Sequence, residues 1–327
     1  MNEFSERSFY NLALYALTLM VFFVLQNLLV PGLVFGFSPE KAGFTVKFKD
    51  EVMQYKVIGV FVLPEEVLAL EASDAAKGSH YVIRYSAGKL IDAAINKWYW
   101  QAPKETGLYP VKVVDPETQD SITLNVFVMI PYDDLKRESL NGYKIGTYPI
   151  IPFRQLPNYN PPKGFIEVTP ENEEVYVAPH FKLKQFVCKQ EHDYPKYVVL
   201  QERLLLMLEL VLENMNKNGY DIEKFSILSG YRTPYYNHSI RNKKYSRHIY
   251  GDGADIFVDR DNDDIMDDLN SDGKLDYRDA NILYDIIDSM YGEPWYERFM
   301  GGLARYRERR GHGPFVHVDT RGFLSRW

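Results

Sequence analysis

Eleven aspartates lie between Asp252 and Asp279, in the stretch "GDGADIFVDRDNDDIMDDLNSDGKLDYRD". Carboxylates at this density repel one another. Burying them costs several kcal/mol each unless a cation or hydrogen-bond donors compensate. Most of the stretch must therefore be a solvated or cation-bound loop, and only the apolar "ADIFV" within it can enter a core. A single histidine, His248, stands just ahead of the run.

The rest of the chain bounds the fold. Its 327 residues exceed one ordinary domain. A formal net charge of −7 leaves no basic footprint for nucleic acid. Cys188 is the only cysteine, so no internal disulfide framework exists. Between Arg7 and Glu40 no residue is charged, and this run is long enough to cross about 30 Å of hydrocarbon. Residues 1–40 are read as a signal anchor or a signal peptide. Val34 and Gly36 suit a cleavage site, while the run's length and the Gln26-Asn27 interruption suit an uncleaved anchor. Either way the remainder is expected in the periplasm, anchored in the inner membrane or secreted.

Residues 41–135 contain short runs rich in β-branched and aromatic residues: "FTVKFK", "YKVIGVFVL", "HYVIRYS", "LYPVKVVD" and "SITLNVFVMI". Turn residues separate them, as in an all-β sandwich. "WYWQAPKETGLYPVKVVD" resembles the late hairpin of bacterial immunoglobulin-like domains, which implies a spacer or wall-contacting module. Residues 136–175, rich in Pro, Tyr, Asn and Gly, read as an extended linker or an irregular arm against the next domain. From 176 the texture changes. Leucines at helical spacing follow Pro195 and end before Gly219, which predicts a helix. Strands are expected at 225–231, 253–259 and 313–322, with a helix at 279–292. Helices beside a small antiparallel sheet make residues 176–327 an α+β domain.

Within that domain, His248 and Asp255 stand seven apart, and Gly251 and Gly253 allow a tight turn between them. In "FVHVD", Phe315, His317 and Asp319 alternate onto one face of a strand. Two imidazoles and a carboxylate are a common catalytic Zn²⁺ set with a fourth position left open. Taken alone, such a pair and a late histidine also arise by chance on surfaces. "SGYRTPYYN", "SRHIYGDGADI" and "GHGPFVHVDTRG" occur in that order. Together they resemble the zinc D,D-peptidases of peptidase family M15, in particular the periplasmic murein endopeptidase branch, over residues 176–327. One extra residue between the histidine and the "GADI" glycine departs from that pattern.

The resemblance implies zinc held by His248, Asp255 and His317, in the fold of the hedgehog and D,D-peptidase group. It makes Arg232 the group that faces the polarised scissile carbonyl, Ser246 a support of the ligand loop, and Asp319 the acceptor that orients a ligand imidazole. The family's E-x-x-H glutamate is absent, since Pro314 takes its place. His312 is the substitute for proton transfer. His180 is read as structural, and His80, His192 and His238 have no comparable placement.

The remaining aspartates call for a second ion. From Asp268, oxygen-bearing side chains fall at positions 1, 3, 5, 9 and 12 (Asp268, Asn270, Asp272, Asp276, Asp279), with Gly273 at position 6. This is the EF-hand calcium pattern and resembles dockerin loops. Asp259, Asp261, Asp263 and Asp267 take positions 1, 3, 5 and 9 of a less regular loop. Hard oxygen ligands suit structural Ca²⁺, and a solvated acidic loop is the alternative. The function these resemblances imply is a peptidoglycan hydrolase that cuts peptide cross-links or stem bonds near D-alanine. The alternatives are a D-alanyl-D-alanine carboxypeptidase or dipeptidase, and a catalytically silent module that holds wall peptide.

Overall fold

The computed structural model describes residues 37–74 and 78–327. The apolar run that was read as an anchor lies outside the described residues. Among the described residues, no helix is long and apolar enough to cross a membrane. The architecture is mixed and rich in strands, with several separate sheets.

The first nine strands form two sheets. One has the order β2-β1-β4-β7-β6: β1 is Lys41–Phe48, β2 Glu51–Tyr55, β4 Val67–Ser73, β6 Lys89–Ala94 and β7 Lys97–Gln101. The other has the order β3-β9-β8-β5: β3 is Val57–Val62, β5 Val82–Tyr85, β8 Gly107–Val114 and β9 Ser121–Val128. Burial alternates strictly along β1, β2 and β4, as one wet and one dry face require. Phe44 of β1 stacks on Tyr81, next to β5, at 4.5 Å and so joins the dry faces. β3 is buried almost throughout because it is covered on both sides. A Cβ on its Gly59 would meet Val177 at 3.2 Å.

The sequence missed β2, β4 and β6, and its hairpin resemblance needs correction. Trp98 and Trp100 are buried as expected. β7 and β8, however, lie in different sheets, so the "APKET" turn between them is a crossover. Backbone bonds from Ala102 N to Glu66 O (2.9 Å) and from Glu65 N to Pro103 O (3.2 Å) tie that turn to the start of β4.

Residues 136–175 pack as an irregular arm. They bury Tyr143, Ile145, Tyr148, Tyr159 and Phe165. The arm is fastened to the C-terminal region by Tyr235 N to Ile145 O (2.9 Å), Tyr148 Oη to Tyr231 Oη (3.0 Å) and Asn158 Nδ2 to Arg321 O (2.5 Å).

The C-terminal sheet has five strands in the order β10-β11-β13-β12-β14. These are β10 (Phe225–Ser229), β11 (Gly253–Val258), β12 (Gly302–Tyr306), β13 (Phe315–Asp319) and the two-residue β14 (Ser325–Arg326). All pairings are antiparallel except β12 with β14. Helix α1 (Glu202–Lys217) starts later than the leucine pattern implied, because Lys196–Val198 is a strand. Helix α2 (Pro234–Ser239) is capped by Thr233, whose hydroxyl accepts from Tyr236 N at 3.0 Å. Helix α3 (Tyr277–Ser289) is capped by Asp276.

α1 is dry nearly all round, since the first two sheets cover one side and the C-terminal elements the other. Its acids explain the seam. Glu213 accepts from Tyr55 Oη at 2.6 Å and from Lys41 Nζ at 2.8 Å. Glu202 meets Lys49 at 2.5 Å. Glu209 accepts from His180 N at 2.9 Å and bonds its ring at 2.7 Å. From β2, Glu51 binds both Arg203 and Arg298. Glu213→Ala leaves a buried tyrosine hydroxyl without its acceptor, and a stability loss of about 1–3 kcal/mol is expected in urea titration. The double change Tyr55→Phe, Glu213→Leu should recover much of it. A neutral Glu213→Ala would show that the seam contributes nothing.

Candidate metal centre

The order of strands brings together residues that are far apart in the chain. Asp255 of β11 and His317 of β13 are direct cross-strand partners on adjacent strands. His248 arrives from the 3₁₀ turn Arg247–Tyr250, which reverses into β11 through Gly251 at φ +71°. A Cβ on Gly251 would strike Val199 O at 2.3 Å, so this turn requires glycine. Gly253 lets the turn close over the site, since a Cβ there would lie 3.3 Å from His317 Cε1.

One nitrogen from each imidazole and one oxygen of Asp255 lie within 4.8 Å of one another, all on buried residues. Asp255 Oδ1 is 3.2 Å from His248 Nε2 and 2.8 Å from His317 Nδ1. The outward nitrogens are already committed. His248 Nδ1 lies 2.7 Å from Gly230 O, which can only accept, so Nδ1 is the donor. His317 Nε2 lies 3.0 Å from Asp319 Oδ2 and donates to it. In the neutral rings, therefore, two nitrogen lone pairs converge on a carboxylate oxygen. Three acceptors facing one point repel unless a positive charge sits among them, and they fit a divalent cation with N and O preference.

Without an ion, a proton on the rings supplies part of that positive charge. Burial alone would raise the Asp255 carboxyl, but His248 and His317 outweigh it and hold it well below the usual carboxylate range. Burial pulls His248 below its ordinary value. Burial also acts to lower His317, yet its bonds to Asp255 and Asp319 win and push it up to about 9. Asp319 is fixed in turn by Gly302 N and Arg321 Nε, both at 2.8 Å.

Of the other sequence candidates, Arg232 reaches the site in an unexpected pose. Its Nη2 donates to Asp255 Oδ2 at 2.6 Å and its Nε to Ser229 Oγ at 2.8 Å. It therefore clamps the ligand carboxylate, and Nη1 is left without a hydrogen bond among the described residues. Ser246 precedes the ligand turn and lines a cavity of about 590 Å³ that opens over His248, Asp255 and His317. His312 does not line that cavity. Its ring meets the edge of Phe315 at 5.1 Å, and its Nδ1 lies 2.7 Å from Gly313 O.

Sequence reasoning missed Phe153 and Tyr159 of the arm, Tyr306 of β12, and Trp327, all of which line the cavity. It also missed Arg247, buried between the rings of Tyr159 and Tyr250 and paired to Asp252 at 2.5 Å. The "SRH" triplet contained that arginine, but nothing in the sequence marked it as buried.

The aspartate-rich loop differs from its spacing. Asp259, Asp261 and Asp267 approach within 4.8 Å. Asp263 instead accepts from Ile265 N at 2.8 Å. The regular set from Asp268 to Asp279 does not converge in the same way, because its carboxylates bind the loop's own amides. Asp268 accepts from Gly273 N at 2.7 Å, and buried Asp279 accepts from Leu269 N and Asp276 N, each at 2.9 Å. Asn270 accepts from Asp272 N at 2.8 Å, and Asp272 and Asp276 pair with Arg278.

Comparison with protein-family models, with curated proteins and with solved structures finds no match. One tightly held zinc per chain is the outcome expected from metal analysis. Undiminished zinc in a His248→Ala, His317→Ala double variant would remove the assignment. Asp319→Ala is expected to weaken zinc about 10–100-fold by freeing His317 Nε2. In the same preparations, millimolar CaCl₂ should raise Tm in wild type but not in Asp259→Ala. An equal rise in both would place calcium away from Asp259, and no rise in either would leave the aspartates a solvated loop.

Proposed function

We propose that this chain is a zinc-dependent peptidase of the cell wall, a peptidoglycan hydrolase that cuts peptide cross-links or stem bonds near D-alanine. The observation that carries the reading is the convergence of His248 Nε2, His317 Nδ1 and Asp255 Oδ1. Those residues come from the three motifs that resemble the M15 zinc D,D-peptidases. A zinc ion held there supplies Lewis-acid polarisation and an acidified water.

The chain's own groups do the rest. Asp319 and the Gly230 carbonyl keep the two rings turned inward. Arg232, clamped by Ser229 and Asp255, offers Nη1 to the negative charge that develops on a peptide oxygen. For proton transfer to the leaving amine, His312 would have to swing off the edge of Phe315. A carboxypeptidase or dipeptidase acting on uncross-linked stems uses the same groups. A silent binding module needs neither the clamped arginine nor the fixed tautomers. Structural calcium in the 259–279 loop and a first domain serving as spacer or wall contact belong to the same reading.

Incubating sacculi with the purified protein should release muropeptides cut at peptide bonds. Arg232→Ala should keep zinc and lose on the order of 10²–10³-fold in kcat. His312→Ala should lose about 10²-fold if its ring reaches the reacting amine. Unchanged kcat in either variant would take that residue out of the mechanism, and intact sacculi with wild type would defeat the hydrolase reading.

Peptidoglycan lies outside the cytoplasmic membrane, so the proposal includes export and tethering through the charge-free run before Glu40. A reporter that works only in the periplasm, fused after Trp327, should be active. A silent periplasmic reporter with an active cytoplasmic one would rule out the wall substrate.

A further inference from the structure

A second cavity, of about 770 Å³, lies between the irregular arm and helix α2. Asn242, Lys244 and Tyr245 line both this groove and the cavity over His248, Asp255 and His317. Ile150 and Ile151 line the groove too, and they stand 90% and 71% exposed. Tyr235, in the first turn of α2, lines it and is exposed as well. Apolar side chains left in water are stabilised by moving into an apolar phase, and adjacent ones mark a contact surface where scattered ones do not.

The backbone holds the two isoleucines out. Pro149 and Pro152 flank them, and the residue before a proline is kept extended. Tyr245 Oη donates to Ile151 O at 3.0 Å, and Tyr235 N donates to Ile145 O at 2.9 Å. These bonds fasten the arm to α2 and to the loop that follows it. An apolar tip fixed in advance loses little conformational entropy when it is buried.

The charge around this tip is positive, in a chain of formal net charge −7. Lys144 lies over the Tyr235 ring at 4.9 Å and Lys244 over the Tyr245 ring at 5.5 Å. Arg154 lies over Phe153 at 5.1 Å, and Phe153 is itself 5.4 Å from Tyr245. Lys243 adjoins Lys244. All four cations are exposed, and none forms an ion pair among the described residues. Glu138 is the only acidic residue lining the groove, and it accepts from Thr147 Oγ1. An exposed apolar tip flanked by tyrosines and unpaired cations matches a surface with phosphate headgroups outside and hydrocarbon beneath. Such a surface is also close to this fold in the topology proposed above. The charge-free run before Glu40 is long enough to span a bilayer, and β1 begins at Lys41.

We propose that this face docks on an anionic lipid bilayer. Ile150 and Ile151 enter the upper hydrocarbon, Tyr235 lies at headgroup level, and Lys144, Arg154, Lys243 and Lys244 pair with lipid phosphates. Docking brings the cavity over His248, Asp255 and His317 beside the membrane, because the two cavities share a wall. It requires neither zinc nor hydrolysis.

The test uses the full-length protein with a polarity-sensitive fluorophore on an Ile150→Cys variant. Cys188 is buried, so the label is confined to position 150. The vesicles are phosphatidylcholine alone or mixed with phosphatidylglycerol, and both carry a lipid-borne quencher. Quenching at position 150 should be at least about threefold greater on the mixed vesicles, and should fall toward the phosphatidylcholine value in high salt. Lys243→Glu with Lys244→Glu should lower it to that value. The same label on Ile95→Cys, in the exposed turn between β6 and β7, should stay unquenched. That control separates docking of this face from insertion of the apolar run before Glu40. Positions 95, 150, 243 and 244 are exposed, so these changes should leave folding intact.

No quenching at position 150 on the mixed vesicles, or equal quenching at position 95, overturns the proposal. Equal quenching on both vesicle types that resists the lysine changes overturns anionic lipid as the occupant. A spectral shift without vesicles that grows with protein concentration assigns the face to a second copy of the chain, and overturns the proposal too. Hydrolysis of sacculi is scored separately, so the peptidase reading stands or falls on its own.

Discussion

The C-terminal half is organised around one oxygen. Asp255 Oδ1 faces His248 Nε2 and His317 Nδ1, whose lone pairs the carboxylate would repel if both rings stayed neutral. Such an arrangement is tolerable only with positive charge at its centre, as a proton or as a metal ion. The neighbouring structure reads as support for that geometry. The Gly230 carbonyl fixes one ring and Asp319 the other, while Gly302 and Arg321 fix Asp319. Arg232 takes the second oxygen of Asp255, so that carboxylate cannot rotate away. Removing Asp319 frees the His317 ring to find another partner.

Much of this was legible in the sequence, for a physical reason. A cluster that could hold a metal needs particular side chains, and short motifs carry them. Ser246, His248, Asp255, His317 and Asp319 all fall in or beside the cavity because the spacing within each motif is local and nearly fixed by backbone geometry. The second use of Arg232 was not legible, since its partner depends on the Ser229–Asp255 register across β10 and β11. The cavity walls were not legible either. Phe153 and Tyr159 lie about a hundred residues before the ligands, in a Pro-rich segment whose backbone has no period to read.

Other misreadings have equally specific causes. Lys196–Val198 stood inside an apparent helix because an apolar run looks the same in a short strand and in a helix until a partner strand is known. The "WYW" and "LYPVKVV" runs looked like a hairpin because alternation shows that strands exist, not which sheet each one joins. Glu209 and Glu213 interrupt the leucine pattern of α1 and suggest a wet face. They are buried, because His180, Tyr55 and Lys41 meet them there.

The aspartate run that constrains the sequence most strongly also shows how opposite charges coexist a few residues apart. β11 carries Asp255 inward to His248 and His317 and ends beside Asp259, where the chain turns into the acidic loop. There the carboxylates are met locally. Asp259 accepts from Ser226 Oγ and from the amides of Asp263 and Asp264, and Arg260 pairs with Asp267. Amide donors at short range stabilise a carboxylate without moving any cation toward it. The loop can therefore be strongly acidic without pairing with Lys243 or Lys244, which line the cavity. Separation of this kind lets a protein that is acidic overall keep basic residues around the cavity over His248, Asp255 and His317. It accounts for the loop satisfying its own charges through the backbone rather than through the arginines and lysines that line the cavity.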